Sequence, residues 1–167
     1  SVALTGKTKT TGGVGFRIGA LASTSVKGLK VGGSLGYIVG PNFEGTVYAN
    51  GVATVKETTD SNFLRYLAES KYSVPIGEKF QARLGLAFGF ASVKITDVVE
   101  ATGLDTKIDS MTKTQFTWEI GPAIAYVADN VGMELAVTYS QMPSAKNEET
   151  FTPFKWNPIG IRLGVEF

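Results

Sequence analysis

The last eleven residues, Asn157-Pro158-Ile159-Gly160-Ile161-Arg162-Leu163-Gly164-Val165-Glu166-Phe167, alternate strictly in character. Ile159, Ile161, Leu163, Val165 and Phe167 fall on one parity, and Gly160, Arg162, Gly164 and Glu166 on the other. A period of two is that of a β-strand. One face of this strand is wholly apolar and ends in an aromatic ring, while the other carries a cation, an anion and two glycines. A strand of a soluble sandwich turns its polar face to water, where glycine gains nothing. A membrane barrel has a use for both faces: lipid takes large apolar side chains outside, and a narrow lumen takes small or mutually paired residues inside.

The same logic recurs along the chain. Val14, Phe16, Ile18, Ala20 and Ala22 oppose Gly13, Gly15, Arg17 and Gly19, and Leu29, Val31, Leu35, Tyr37 and Val39 oppose Lys30, Gly32, Ser34 and Gly36. Gly40-Pro41-Asn42 is a strong turn signal and is expected to end that second strand. A third, weakly patterned strand is expected over about Gly45 to Lys56, followed by a polar loop at Glu57 to Ser61. Leu64, Tyr66, Ala68 and Tyr72 then oppose Arg65, Leu67, Glu69 and Lys71, and Pro75 to Glu78 turns the chain. Helix propensity alone would permit a helix over 62–71, but the periodic context favours a strand.

Phe80, Ala82, Leu84, Leu86, Phe88 and Phe90 oppose Gln81, Arg83, Gly85, Ala87 and Gly89, after which alternation fades through Val93 and Ile95 into a long polar hairpin with its tip near 99–105. Phe116, Trp118, Ile120, Ile124 and Tyr126 oppose Thr117, Glu119, Gly121, Ala123 and Ala125, with Pro122 predicting a bulge or a skipped bond. A tight turn at Ala128-Asp129-Asn130 leads to Val131, Met133, Leu135, Val137 and Tyr139, opposite Gly132, Glu134, Ala136 and Thr138. A polar loop from Met142 to Pro153 precedes the last strand. The expected architecture is all-β: an antiparallel up-and-down transmembrane β-barrel of about eight strands, occupying 12–167. Residues 1–11 form an N-terminal extension or the start of the first strand.

Two further patterns agree with a bilayer. Short connections (Gly40 to Glu44, Pro75 to Glu78, Ala128 to Asn130) alternate with longer polar ones near Glu57, Asp105 and Asn147, as periplasmic turns alternate with outer loops. The short loop near Ser25 is the exception, being on the side expected to be long. Aromatic residues gather near strand ends, with Tyr37, Phe43, Tyr72, Phe80, Tyr126 and Phe167 toward the short turns. Phe63, Tyr66, Phe90, Phe116, Trp118, Tyr139, Phe154 and Trp156 lie toward the other end, giving two interfacial bands.

Composition narrows the chemistry. The 167 residues include 20 glycines, no cysteine and no histidine, with a formal net charge of +1. The missing cysteines exclude a disulfide framework and thiolate metal sites, and the missing histidines remove the commonest general base and metal ligand. No nucleic-acid partner is indicated by so small a charge. Gly12-Gly13-Val14-Gly15 is not a phosphate loop, because no helix follows it. No metal or cofactor is expected, and no catalytic set. The absence of a signal peptide at Ser1 fits a processed or truncated chain.

From about Gly12 to Phe167 the chain resembles the small eight-stranded outer-membrane barrels of Gram-negative bacteria, the group that includes the transmembrane domain of OmpA and the OmpX-like proteins. Gly160-Ile161-Arg162-Leu163-Gly164-Val165-Glu166-Phe167 resembles the C-terminal insertion signal of that class, so Gly160, Ile161, Leu163, Val165 and Phe167 would be read by the barrel assembly machinery. The resemblance implies residence in the bacterial outer membrane as a monomer among lipid and lipopolysaccharide, with an extracellular ligand conceivable at the outer loops. With no peptidoglycan-binding domain after Phe167, an OmpA-like wall anchor is not expected. Barrel enzymes of that membrane resemble one another in relying on histidine, which this chain lacks.

The lumen parity collects Arg17, Lys30, Arg65, Lys71, Arg83 and Arg162 with Glu69, Glu119, Glu134 and Glu166. Charges enclosed by so narrow a barrel must pair, and Arg83, Arg162, Glu119 and Glu134 are expected at the centre. A salt-bridge network that fills the barrel is expected to be structural, and the resemblance to OmpX-like proteins implies a surface-display role such as adhesion, with the hairpin over 93–113 as an edge. The alternatives are a small porin or hydrophobic-solute channel, and a soluble lipocalin-like barrel, which would carry its apolar side chains inside. The interfacial aromatics in the membrane reading are Tyr37, Tyr72, Phe80, Phe90, Phe116, Trp118, Tyr126, Tyr139 and Phe167.

Overall fold

A computed structural model of the chain describes residues 4–102, 107–128, 131–142 and 157–166. The described residues form an all-β, antiparallel structure without helices. Its strands are β1 (Leu4–Thr11), β2 (Val14–Ser23), β3 (Leu29–Val39), β4 (Asn42–Ala49), β5 (Val52–Pro75), β6 (Phe80–Ala101), β7 (Lys107–Ala128), β8 (Val131–Gln141) and β9 (Ile159–Glu166). Pairing runs β1-β4-β5-β6-β7-β8-β9, with β3 joining β2 to β5. Residues 62–71, compatible with a helix by propensity, lie inside β5, because strand pairing on both sides overrides a weak local preference.

Gly40-Pro41-Asn42 does not reverse the chain. β1 pairs with β4 from Leu4↔Ala49 to Thr11↔Asn42, and the ladder continues past the cis Gly40–Pro41 bond. A Cβ on Gly13 would lie 2.9 Å from the Gly40 carbonyl oxygen, and one on Gly15 would meet Tyr37 and Ile38. β1 therefore runs on into β2, and β3 into β4, so the nine segments make seven passes.

The reversal that the sequence reading misplaced is at Asn50-Gly51. Both residues have positive φ, 50° and 82°, and they join Ala49 to its partner Val52. This is the two-residue hairpin whose twist matches that of the strands. The expected strand over Gly45 to Lys56 is thus two strands folded on one another, and the expected loop at Glu57 to Ser61 is strand. Correcting the turn also removes the anomaly at Ser25. That loop and the Pro75 to Glu78 turn share an end, since Ser73 N donates to the Gly28 carbonyl at 2.8 Å. At Pro122 the β7–β8 ladder skips two positions, passing from Ile120↔Tyr139 to Ala123↔Ala136 without a change of register. The expected hairpin tip near 99–105 falls in β6 as far as Ala101, and its residues 103–105, residues 129–130 of the expected turn at Ala128 to Asn130 and residues 143–153 of the expected loop from Met142 to Pro153 lie outside the described residues.

The chain divides into two compact units. The first comprises Ser1–Phe16, Gly36–Leu64 and Ser92–Lys113. Its interior is apolar: Phe63 and Val93 have no exposed surface, and Ile95 is buried with them. Ser61 donates to the Pro41 carbonyl at 2.6 Å, and Gly40 N donates to the Ser61 carbonyl at 2.7 Å. These bonds satisfy polar groups that burial would otherwise leave costly. Phe63, expected in an interfacial band, belongs to this core instead, and Tyr37 lies against Phe16 (6.3 Å between centroids) rather than beside a turn.

The second unit comprises Arg17–Leu35, Arg65–Ala91 and Thr114–Phe167. Its outward face is apolar, with Leu84, Leu135 and Leu163 exposed at 51, 53 and 82 %, while Arg83 and Glu134 are buried. The sheet of this unit curls about that charged interior. Arg17 on β2 and Arg162 on β9, at opposite ends of the strand path, both reach Glu119 on β7.

Candidate functional site

The interior of the second unit is built by parity. On β6, Arg83 and the small residues Gly85, Ala87 and Gly89 face inward, so long side chains from facing strands have room to meet. Glycine is also required at some positions for backbone approach: a Cβ on Gly89 would collide with the Tyr66 carbonyl, and one on Gly121 with that of Val137. Gly85 is different, since the nearest atom to its would-be Cβ is the Gly121 carbonyl oxygen at 3.7 Å.

Two carboxylates organise the charges. Glu119 Oε2 accepts from Arg17 Nη2 at 2.6 Å, Arg65 Nη1 at 3.0 Å and Ser140 Oγ at 3.1 Å, and its Oε1 accepts from Arg162 Nη1 at 3.1 Å. Glu134 Oε2 accepts from Lys71 Nζ at 2.8 Å and Arg83 Nη1 at 3.0 Å, and its Oε1 from Arg162 Nη2 at 3.1 Å. Arg162 therefore links the two carboxylates through its planar fork. Around them Arg17 Nη1 donates to Glu69 at 2.9 Å, Arg83 Nη1 to Glu166 at 2.7 Å, and Lys30 pairs with Glu166. All the charged residues singled out on the lumen parity meet in this one network. Of the four expected at its centre, Arg83 reaches Glu134 but has no bond to Glu119 among those described.

The network also has neutral members, of which the sequence places Ser34 and Gln81 on the inward parity without assigning them a partner. Ser34 donates to Glu69, Ser140 to Glu119, and the Gln81 amide oxygen accepts from Arg83 Nε at 3.2 Å and Nη2 at 3.0 Å. Their signal was available, since each shares the inward parity of its strand. Arg65 is the least well served: its Nε and Nη2 are buried without a hydrogen-bond partner, so its attachment to the network is the single bond to Glu119.

Little free space is left beside the central carboxylate Glu119. A cavity of about 10 Å³ lies beside Arg17, Glu69, Glu119 and Arg162, room for about one water. An apolar lining of lipocalin type is not what this unit carries. Among the described residues no group of three or more aspartate or glutamate side chains is placed to hold a metal ion.

Aromatic rings on the outward face pair across neighbouring strands: Phe80 with Tyr126 at 5.4 Å, Phe90 with Phe116 at 6.3 Å, and Trp118 with Tyr139 at 5.6 Å. Tyr72 is exposed near the Gly28 turn. Of the proposed insertion signal, Ile161, Leu163 and Val165 project outward from β9 and Gly160 faces Thr138; Phe167 lies outside the described residues. Comparison of the chain with protein-family models, with characterised proteins and with solved structures finds no match.

Proposed function

We propose that this protein is an integral β-barrel of the bacterial outer membrane, with a charge-filled interior and a structural or surface-display role. The reading rests on the inverted polarity of the second unit, whose leucines face out while its arginines and glutamates face in. In water that arrangement forfeits the hydrophobic term at the 26 large exposed apolar side chains described in this unit; in lipid the same surface is solvated. The β6 stretch Phe80 to Phe90 has about the 9–11 residues that a tilted strand needs to cross the hydrocarbon, and each of its ends carries one of the ring pairs described above. Such rings suit the two interfaces of a bilayer. The resemblance of the alternation to that of small eight-stranded outer-membrane barrels, a likeness of sequence pattern alone, supports the same reading.

Display is favoured over conduction because the interior leaves about 10 Å³ beside the central carboxylate. The test is folding into detergent micelles followed by planar-bilayer recording. A compact form that migrates differently before and after boiling, with no reproducible conductance, is expected. Monomeric solubility without detergent overturns the membrane reading, and steady unitary currents overturn the filled interior.

A further inference from the structure

The outward face of the second unit is interrupted at Pro122. The β7–β8 ladder skips Gly121 and Pro122 on one strand and Val137 and Thr138 on the other. The proline ring, tied back to its own nitrogen, projects less than Ile120 and Ile124 on either side of it. A groove of about 310 Å³ lies over this point. Two rows of outward side chains form it: Ile120, Tyr139 and Ile159, which are register partners on β7, β8 and β9, and beside them Leu84, Pro122 and Val137 on β6, β7 and β8. The row of Ile124, Leu135 and Leu163 on the same three strands lies outside it.

The position of the groove selects its occupant. Tyr139 packs against Trp118 at 5.6 Å, in the ring band that also holds Phe90 and Phe116. Leu84 and Pro122 lie along their strands between that band and the Phe80–Tyr126 pair. In the membrane reading, on which this inference rests, the groove therefore runs from one interface to about mid-depth and stops. A transmembrane partner would touch the face along its whole crossing, and a helix, about 10–12 Å across with its side chains, would bridge so local a recess. An empty groove forfeits dispersion contacts on both of its sides. Lipid tails are as apolar as the side chains they meet, so shape decides what fills it. We propose that the groove seats one acyl chain of a bilayer lipid in the leaflet bounded by Trp118 and Tyr139, entering beside Tyr139 with its methyl end toward Leu84 and Pro122. Apart from Thr138 and Tyr139 the residues around it are wholly apolar, which suits hydrocarbon and offers no seat for a headgroup.

The test uses the full chain folded in micelles and a phosphatidylcholine carrying a nitroxide midway along one acyl chain. Broadening of backbone amide resonances is read strand by strand. At Ile120, Val137 and Tyr139 it is expected to exceed that at Ile124 and Leu135 on the same strands and at Ile18 and Leu35 on β2 and β3, and to level off at one probe per protein. Pro122→Leu and Val137→Phe, two independent ways to fill the recess, should each abolish the excess, while Leu135→Phe outside it should not. Even broadening over the outward face overturns the proposal. So does an excess that survives both fillings, or one that grows with protein concentration and so assigns the groove to a second copy. The membrane reading fails separately: a chain that is monomeric without detergent overturns it before any probe is added, whereas even broadening in a chain that folds only in micelles removes the acyl site alone.

Discussion

The two units solve the same problem, what to put inside a curved sheet, with opposite materials. On β5 the inward residues Phe63 and Arg65 are two positions apart, yet one belongs to an apolar core and the other to an ion-pair network. On β6 the inward parity changes from Arg83, Gly85, Ala87 and Gly89 to Val93 and Ile95, and the outward parity from Leu84, Leu86 and Phe88 to Lys94 and Thr96. Period two persists throughout while the sign of the polarity reverses. Alternation therefore locates a strand and its two faces; only the chemistry of each face says which solvent it meets. What read as fading alternation after Phe90 is this reversal.

The difference implies different weak points. In the second unit the interior depends on two carboxylates, and Glu119→Gln removes the carboxylate to which Arg65 is bonded among the described residues, in a buried setting. Breaking a buried pair by removing one partner costs about 3–5 kcal/mol. Glu134→Gln is expected to cost less: Arg83 keeps Glu166 and Arg162 keeps Glu119, and Lys71, which loses its described carboxylate, is the more open cation, with a side chain 13 % exposed against 4 % for Arg65. Urea unfolding in micelles measures both; equal effects, or none from Glu119→Gln, would break the contrast drawn here. The counterpart in the first unit is Phe63→Ala, where loss of a buried ring costs about 3–5 kcal/mol. Hydrogen exchange should localise that loss to the Val93 and Ile95 amides and leave those of Glu119 and Glu134 protected.

How far the sequence disclosed this follows from the range of each signal. The charged interior was legible because strand parity is local: once Arg83 and Glu134 are on the inward parity, a narrow enclosure obliges them to find partners. Which partners was less legible, since Arg17, Arg65 and Arg162 converge on Glu119 through the curl of the sheet, a long-range property. The two errors at the turns have opposite causes. Gly40-Pro41 carries a strong local turn signal, but the pairing of 4–11 with 42–49 extends the ladder straight past it. Asn50-Gly51 is a strong hairpin signal, but the alternation on either side of it is weak enough to read as one continuous strand. Position along the chain puts Phe63 near a strand end, but its parity is that of Arg65, and parity decides that it faces inward.

The outward faces separate the units next. Leu135→Arg places a charge among the apolar side chains of β8, and in a bilayer a lipid-facing cation near the midplane costs about 2–4 kcal/mol. Thr96→Arg, on the outward parity of β6 in the first unit, is expected to fall within about 0.5 kcal/mol of the parent, as ordinary surface substitutions do. Folding titrations in lipid vesicles read both. If Leu135→Arg is as mild as Thr96→Arg, the outward face of the second unit meets water, and the polarity reversal no longer distinguishes two solvents.

The smallest effects test whether the glycines of the second unit make room for charges or for backbone. Gly121→Ala drives a methyl group toward the Val137 carbonyl and to 3.0 Å from Thr138 Cγ2, within a β7–β8 ladder already interrupted at Pro122. Overpacking of this kind costs about 1–3 kcal/mol. Gly85→Ala meets nothing closer than 3.7 Å. Since alanine gives up less backbone entropy on folding, it is expected to be neutral or to stabilise by about 0.4–1 kcal/mol. The pair shares an inward face, so a difference in micelle unfolding isolates strand-to-strand approach from interior volume. Were Gly85→Ala as damaging as Gly121→Ala, the interior itself would be limiting, and the arginines and glutamates would be packed to a tolerance of one methyl group.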